Sequence, residues 1–285
     1  YLDKILEENE NIYCERDSYF RNLVRDFKTV KDSDFQPPKT LEKVLRGYQK
    51  YGYRWLRTLE AFRFGGILAD DMGLGKTLQV IAVLLAAKQE GRKGASLVVS
   101  PSSLVFNWGE ELYRFAPELK FVLVTGTLQE RRQKIEEYQK ADVLVTSYDL
   151  LKRDAELYEG KEFLYQIIDE AQYIKNHQTL AAKAVKVIKS QIRYALTGTP
   201  IENRLSEIWS IFDYLMPGFL YKYEVFRREF ETPIIRNQDK TAMERLKKMT
   251  APFILRRLKQ DVLKDLPDKI EKTHYVKFER KQQEL

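Results

Sequence analysis

Six short runs, most of them apolar on consecutive positions, and five helix-length segments between and after them constrain this 285-residue chain more than any other feature. The runs lie at 66–69, 96–100, 120–125, 142–146, 164–168 and 192–197. A strand with one wet face alternates apolar and polar residues. These runs do not alternate, so both faces must be covered, as in a parallel sheet. Segments 76–89, 103–115, 128–139, 179–189 and 204–215 have the length and pattern of the covering helices. The order of elements predicts an α/β fold, a doubly wound parallel sheet with flanking helices. In such folds functional loops leave the carboxyl ends of the strands. The polar pairs fall there: Asp70-Asp71, Ser100-Pro101, Thr146-Ser147, Asp169-Glu170 and Thr197-Gly198-Thr199.

The first run leads into GGILADDMGLGKT, residues 65–77. A strand, a loop with Gly73 and Gly75, then Lys76-Thr77 opening a helix, together make a phosphate cradle. Glycines let backbone N–H groups crowd a polyphosphate, and the helix N-terminus adds partial positive charge. Lys76 would neutralise β- and γ-phosphates, and the Thr77 hydroxyl would hold Mg²⁺. Asp70 stands where the general loop pattern has its first glycine. The fifth run, FLYQII, ends in Asp169-Glu170, roughly ninety residues after the loop, about the separation that brings two βα units to one sheet edge. There Asp169 would hold the Mg²⁺ shell and Glu170 would orient and deprotonate a water.

A hydrophobic content of 44% supports a packed core. No apolar run is long enough to span a bilayer. One cysteine, Cys14, excludes an internal disulfide framework, and with only His177 and His274 as histidines a His/Cys metal site is not expected. The net charge of +7 is concentrated in residues 236–285, which favours a polyanionic partner such as nucleic acid. Three segments are expected: 1–38 as an arm or the tail of a preceding domain, 39–216 as the nucleotide-binding lobe, and 217–285 as a helical, aromatic and basic extension. Pro37-Pro38 marks the first boundary. The start at Tyr1 reads as a piece of a longer protein.

Several side chains carry two readings each. Ser100, Thr146 and Ser147 can donate hydroxyl hydrogen bonds to phosphates or end strands and cap helices. Arg256 and Arg257 can meet a phosphate backbone, brace an interface, or lie on a solvated helix face. Trp108 lies near a strand-contacting segment or in the core. Phe212, Tyr214, Phe219, Tyr221, Tyr223 and Phe226 read as core packing the C-terminal helices onto the sheet.

The ordered motifs resemble the first RecA-like motor lobe of a superfamily-two helicase, specifically a Swi/Snf-type ATPase. LRGYQKYGYRWL (45–56) resembles the family's glutamine segment, ILADDMGLGKTLQ its nucleotide motif, and IIDEAQYIKN its Asp-Glu motif, with Gln172 where many relatives have histidine. LVVSPSSLVFNW and DVLVTSYDLL resemble strand-contacting segments, ALTGTPIENRLSEIWSI a coupling motif, and PFILRRLKQDVLKDLP a block absent from ordinary RNA helicases. The resemblance implies that Gln49 reads the adenine edge and that Gly73, Gly75, Lys76, Thr77 and Asp169 bind Mg²⁺-ATP. It also implies that Ser100, Thr146 and Ser147 lie at double-stranded DNA, and that Gln172, Thr197 and Thr199 couple nucleotide state to DNA. The implied function is an ATP-dependent duplex-DNA translocase that remodels a DNA-bound protein complex, inside a cell, in cytoplasm, nucleoid or nucleus. A second lobe with an arginine finger is expected outside residues 1–285, so this lobe alone should hydrolyse ATP slowly. An RNA helicase and a non-catalytic nucleotide- or DNA-binding module stay open as alternatives.

Overall fold

The computed structural model describes residues 34–198 and 205–262. Helix α1 (Gly47–Ala61) precedes strand β1 (Gly66–Leu68), and the loop after β1 runs into α2 (Lys76–Gln89). Strand β2 (Ser96–Ser100) leads to α3 (Val105–Phe115), β3 (Phe121–Leu123) to α4 (Leu128–Glu136), and β4 (Val143–Ser147) to α5 (Tyr148–Arg153). Strand β5 (Glu162–Ile168) leads to α6 (Leu180–Val187), and β6 (Lys189–Leu196) is followed by α7 (Leu205–Leu215). Shorter helical turns then reach α8 (Lys240–Thr250), and the chain returns to the sheet as β7 (Ile254–Leu255).

All seven strands are parallel, in the order β3-β4-β2-β5-β6-β1-β7. The expected doubly wound sheet is therefore present. Its centre is dry: β2, β4 and β1 are buried at every position. Helix α2 is buried over ten consecutive residues, Leu78 to Ala87, because it is covered by the sheet and by the neighbouring helices. Such an all-round apolar helix makes a fixed platform for the loop at its N-terminus.

The strand order places β6 between β1 and β5, with Ala195 in register with both Ile67 and Ile168. The loops after β1, β6 and β5 thus emerge side by side. These are the phosphate-type loop, Thr197-Gly198 and Asp169-Glu170.

The extension is helical, as expected, but Ile254 and Leu255 also pair with Ile67 and Leu68 of β1. Two residues carry no readable strand period, so this edge strand is invisible in the sequence. Phe253 anchors it by edge-on contacts with Phe64, Phe212 and Phe219. The Trp55 indole donates to the Pro252 carbonyl at 3.3 Å. Phe212, Tyr214 and Phe226 are fully buried, and Phe219 and Tyr223 pack against the core. Tyr221 departs from the core reading: it is exposed and holds a left-handed backbone, φ 61°.

Gly52, in the middle of α1, permits a close helix approach. A Cβ there would fall 1.8 Å from Gln79 Oε1 and 2.8 Å from Arg257 Nη2. Alanine in a helix interior ordinarily gains about 0.5–1 kcal/mol over glycine. Gln79 is fully buried and cannot swing away. Gly52→Ala is therefore expected to destabilise by about 1–3 kcal/mol, the range for overpacking. Urea unfolding of the two forms checks the sign.

Candidate nucleotide-binding and catalytic site

The loop between β1 and α2 is built for close approach. Gly73 and Gly75 have φ 82° and 70°, and Gly75 caps α2 without any side-chain acceptor. The first N–H groups of α2 are thus left to a ligand, as a helix N-terminus that binds anions requires. Lys76 folds back so that its Nζ donates to the carbonyls of Asp70 (2.8 Å) and Asp71 (3.4 Å). Burial holds the Lys76 pKa below its ordinary value, while the carboxylates of Glu170, Asp169, Asp70 and Asp71 push it back up. Thr77 is half-buried in the first turn of α2. A Cβ on Gly198 would lie 2.6 Å from Met72 Cγ and 3.5 Å from Lys76 Nζ, so glycine lets the Met72 side chain and the loop sit close there.

Asp169 follows β5 and is 7% exposed. Its Oδ1 accepts from the Glu170 N–H at 2.9 Å, and its Oδ2 accepts from the Trp108 indole at 2.9 Å. Burial raises the Asp169 pKa; the Trp108 hydrogen bond and the Lys76 charge oppose that rise. Glu170 sits at φ 51°, in the left-handed region that costs a non-glycine residue about 1–3 kcal/mol. That turn aims its carboxylate at Gln172, whose Nε2 donates to Glu170 Oε2 at 2.8 Å. The Thr197 hydroxyl donates in turn to Gln172 Oε1 at 3.2 Å. A single hydrogen-bonded line thus joins the end of β6 to Glu170.

Gln49 lies in the first turn of α1 against the loop. Its Oε1 accepts from the Arg46 N–H at 2.9 Å, and its Nε2 donates to the Leu74 carbonyl at 3.1 Å. An amide has two acceptor lone pairs and two donors, so one of each stays available. Thr199 lies outside the described residues.

Three expected hydroxyls are not presented to a ligand. Ser100 and Thr146 are fully buried, and Ser147 is 2% exposed. Ser100 donates to the Pro101 carbonyl. Ser147 caps α5 by accepting from the Leu150 N–H. Ser147 thus takes the helix-capping role that the sequence left open. The exposed groups after these two strands include Ser102 and Ser103 and, on helix α5, Asp149, Lys152 and Arg153, with Lys152 paired to Asp149 at 2.6 Å.

Arg257 is the main correction. It lies neither on a solvated helix face nor at an open interface but reaches inward from the segment after β7. Its Nε donates to Asp70 Oδ1 at 2.9 Å, and its Nη2 donates to Asp70 Oδ2 and, at 2.8 Å, to Gln79 Oε1. Its Nη1 donates to the Tyr48 carbonyl, and its guanidinium lies 5.2 Å from the Tyr48 ring centroid. Asp70 is fully buried. One arginine therefore ties the glutamine helix, the loop, α2 and the sheet edge together. The Lys259 N–H adds a bond to Asp71 Oδ2 at 2.9 Å. The sequence does carry a signal for this: a carboxylate ending a buried strand demands a buried cation. Nothing local names which arginine supplies it.

Among the described residues no cluster of three or more His, Cys, Asp or Glu side chains surrounds a metal position. The open glycine cradle, Lys76, Thr77 and Asp169 fit a magnesium–nucleotide group. No described helix is long and apolar enough to cross a membrane.

A parallel sheet with this strand order, a glycine loop after β1 and an Asp-Glu pair after β5 defines a RecA-like ATPase lobe. The SNF2-related domain matches residues 48–285, and the chain belongs to that family, the Swi/Snf-type ATPases of superfamily two. It is 45% identical over 242 residues to the uncharacterized ATP-dependent helicase MG018 of Mycoplasma genitalium, covering 85% of this chain and 23% of that protein. It is 40% identical over 278 residues to the TATA-binding protein-associated factor MOT1 of Saccharomyces cerevisiae, covering 90% of this chain and 15% of that protein. Among solved structures, the Sulfolobus solfataricus SWI2/SNF2 ATPase core in complex with dsDNA matches with a TM-score of 0.72 at 48% identity, covering 80% of this chain and 48% of that one. The chain thus spans less than a quarter of the length of these curated relatives.

Proposed function

We propose that this chain is the first lobe of an intracellular, ATP-dependent double-stranded DNA translocase that remodels a DNA-bound protein complex. The observation that carries the reading is the convergence of Lys76, Asp169-Glu170 and the Gln172–Thr197 line at one sheet edge. Gln49 meets the adenine edge with its remaining donor and acceptor. The backbone at Gly73 and Gly75 and the Lys76 ammonium hold the phosphates. Thr77 and Asp169 would hold Mg²⁺, which would supply neutralising charge at the phosphates.

Glu170 takes the proton of the attacking water. Gln172 orients it with an N–H donor, as a water-positioning base requires. Because Gln172 is also held by Thr197, a shift of the β6 loop moves the base. That is the physical content of the coupling role proposed for Gln172 and Thr197. Duplex contact is assigned to the loops after β2 and β4, through their exposed groups and backbone, and not through the buried hydroxyls of Ser100, Thr146 and Ser147. In the working motor a second lobe completes the site, with an arginine worth several orders of magnitude in rate.

The test is the ATPase rate of this chain and of a protein that adds a second lobe, with and without duplex DNA. Activity only with the second lobe, accelerated by duplex DNA, is expected. Stimulation by single-stranded RNA in place of duplex DNA would favour an RNA helicase. No hydrolysis under any nucleic acid would leave a nucleotide-binding module. Because the contacts are to phosphates, duplex affinity of the two-lobed protein is expected to fall steeply, about 10³-fold or more between 50 and 200 mM salt if six or more phosphates are engaged. A salt-independent affinity would exclude backbone-driven binding.

A further inference from the structure

We infer that Trp108 is a positioning residue for the magnesium-side carboxylate, and that it ties the orientation of Asp169 to helix α3. This rests on the ATP reading above. The indole is 1% exposed and the Asp169 side chain is nearly as enclosed. Packing alone asks only for an apolar ring at this position. The ring is instead turned so that Nε1–H meets Asp169 Oδ2 at 2.9 Å. The second oxygen is held by the Glu170 N–H, and the Asp169 carbonyl accepts from the buried Tyr148 hydroxyl at 2.8 Å. Both side-chain torsions of Asp169 are therefore set before any ligand arrives.

The other two tryptophans show that a carboxylate is not the default acceptor. Trp55 donates to the Pro252 carbonyl and Trp209 to the Tyr221 carbonyl. Only Trp108 spends its N–H on an ionisable group, and that group is the one assigned to Mg²⁺. Partners that hold a ligating carboxylate orient it, and losing them typically costs about 10–100-fold in metal affinity. Trp108 also sits in the first turn of α3, shortly after the exposed Ser102 and Ser103. A displacement of that helix start reaches Asp169 through one rigid side chain.

The experiment uses the 285-residue chain with ¹⁵N-labelled indoles. The Trp108 indole signal is expected to shift when ATP and Mg²⁺ are added, and less with ATP and EDTA, while the Trp209 signal stays in place. In Trp108→Phe, the Mg²⁺ concentration that half-saturates the ATP complex is expected to rise about tenfold. Affinity for ATP without Mg²⁺ should not change, whereas mere loss of packing would weaken both. A Trp108→Phe chain with an unchanged Mg²⁺ requirement overturns the inference and leaves the ATP reading standing. So does an indole signal indifferent to Mg²⁺, which decides the matter even if the variant does not fold. A two-lobed protein carrying this chain that binds no ATP at all overturns the ATP reading and this inference with it.

Discussion

Glu170→Gln is expected to lower steady-state ATP hydrolysis by about 10²–10⁴-fold in a two-lobed protein carrying this chain, the range that a positioned general base contributes. ATP affinity should stay within a few-fold of wild type, because the change removes a charge and leaves the size. The geometry separates these two effects. Glu170 follows β5 while the loop glycines follow β1, and its side chain is engaged by Gln172 Nε2. A glutamine at position 170 can still pair with Gln172, so the turn at φ 51° keeps its partner. Lys76→Ala behaves differently. It removes the ammonium that rests on the Asp70 and Asp71 carbonyls and lies among four carboxylates, so binding itself should fail. Single-turnover hydrolysis and equilibrium nucleotide binding, measured on both variants, distinguish the roles. Normal hydrolysis by Glu170→Gln would remove Glu170 from the mechanism and leave the base unassigned.

What is legible in the sequence follows the range of the interactions. Strands β2 and β4, and β5 from Phe163 to Ile168, are buried at every position, so burial on both faces shows directly in composition; β6 shows it only over Tyr194 to Leu196. The phosphate-type loop is legible because its glycines and Lys76-Thr77 act within eight residues of one another. Helix α5 is not, since its six residues give less than two turns of period. Helix α1 enters only as a motif, although its apolar Tyr53, Trp55, Leu56 and Leu59 are all buried in the core. Ser100, Thr146 and Ser147 stand at the expected strand ends, but a hydroxyl's direction depends on the cap it makes, and Ser147 spends its oxygen on Leu150. Trp108 and Asp169 lie 61 positions apart, and their bond depends on how β2 and β5 pair. No local pattern carries that information.

The largest stability effect is expected at a pair far apart in sequence. Asp70 and Arg257 are 187 positions apart, and their side chains are 0% and 12% exposed. Arg257→Met would leave a fully buried carboxylate without its fork of donors. Removing one member of a buried ion pair typically costs about 3–5 kcal/mol, because the remaining charge has lost water and partner alike. Asp70→Asn should cost less, since Gln79 and Arg257 can rearrange around an amide, but it leaves the guanidinium short of its counter-charge. The informative protein is the double variant, Asp70→Asn with Arg257→Met. If the two side chains act as a unit, the double variant will be more stable than the sum of the single losses implies, by about 0.5–3 kcal/mol of coupling. Urea unfolding of the four forms closes the cycle. The same arginine holds the Tyr48 carbonyl beside Gln49 and anchors the chain that follows β7. Loss of the pair should therefore also loosen the loop, and ATP affinity should fall in Arg257→Met even at temperatures where the fold persists. Additive losses, or a cost for Arg257→Met of under about 1 kcal/mol, would show that the buried pair does not hold the loop.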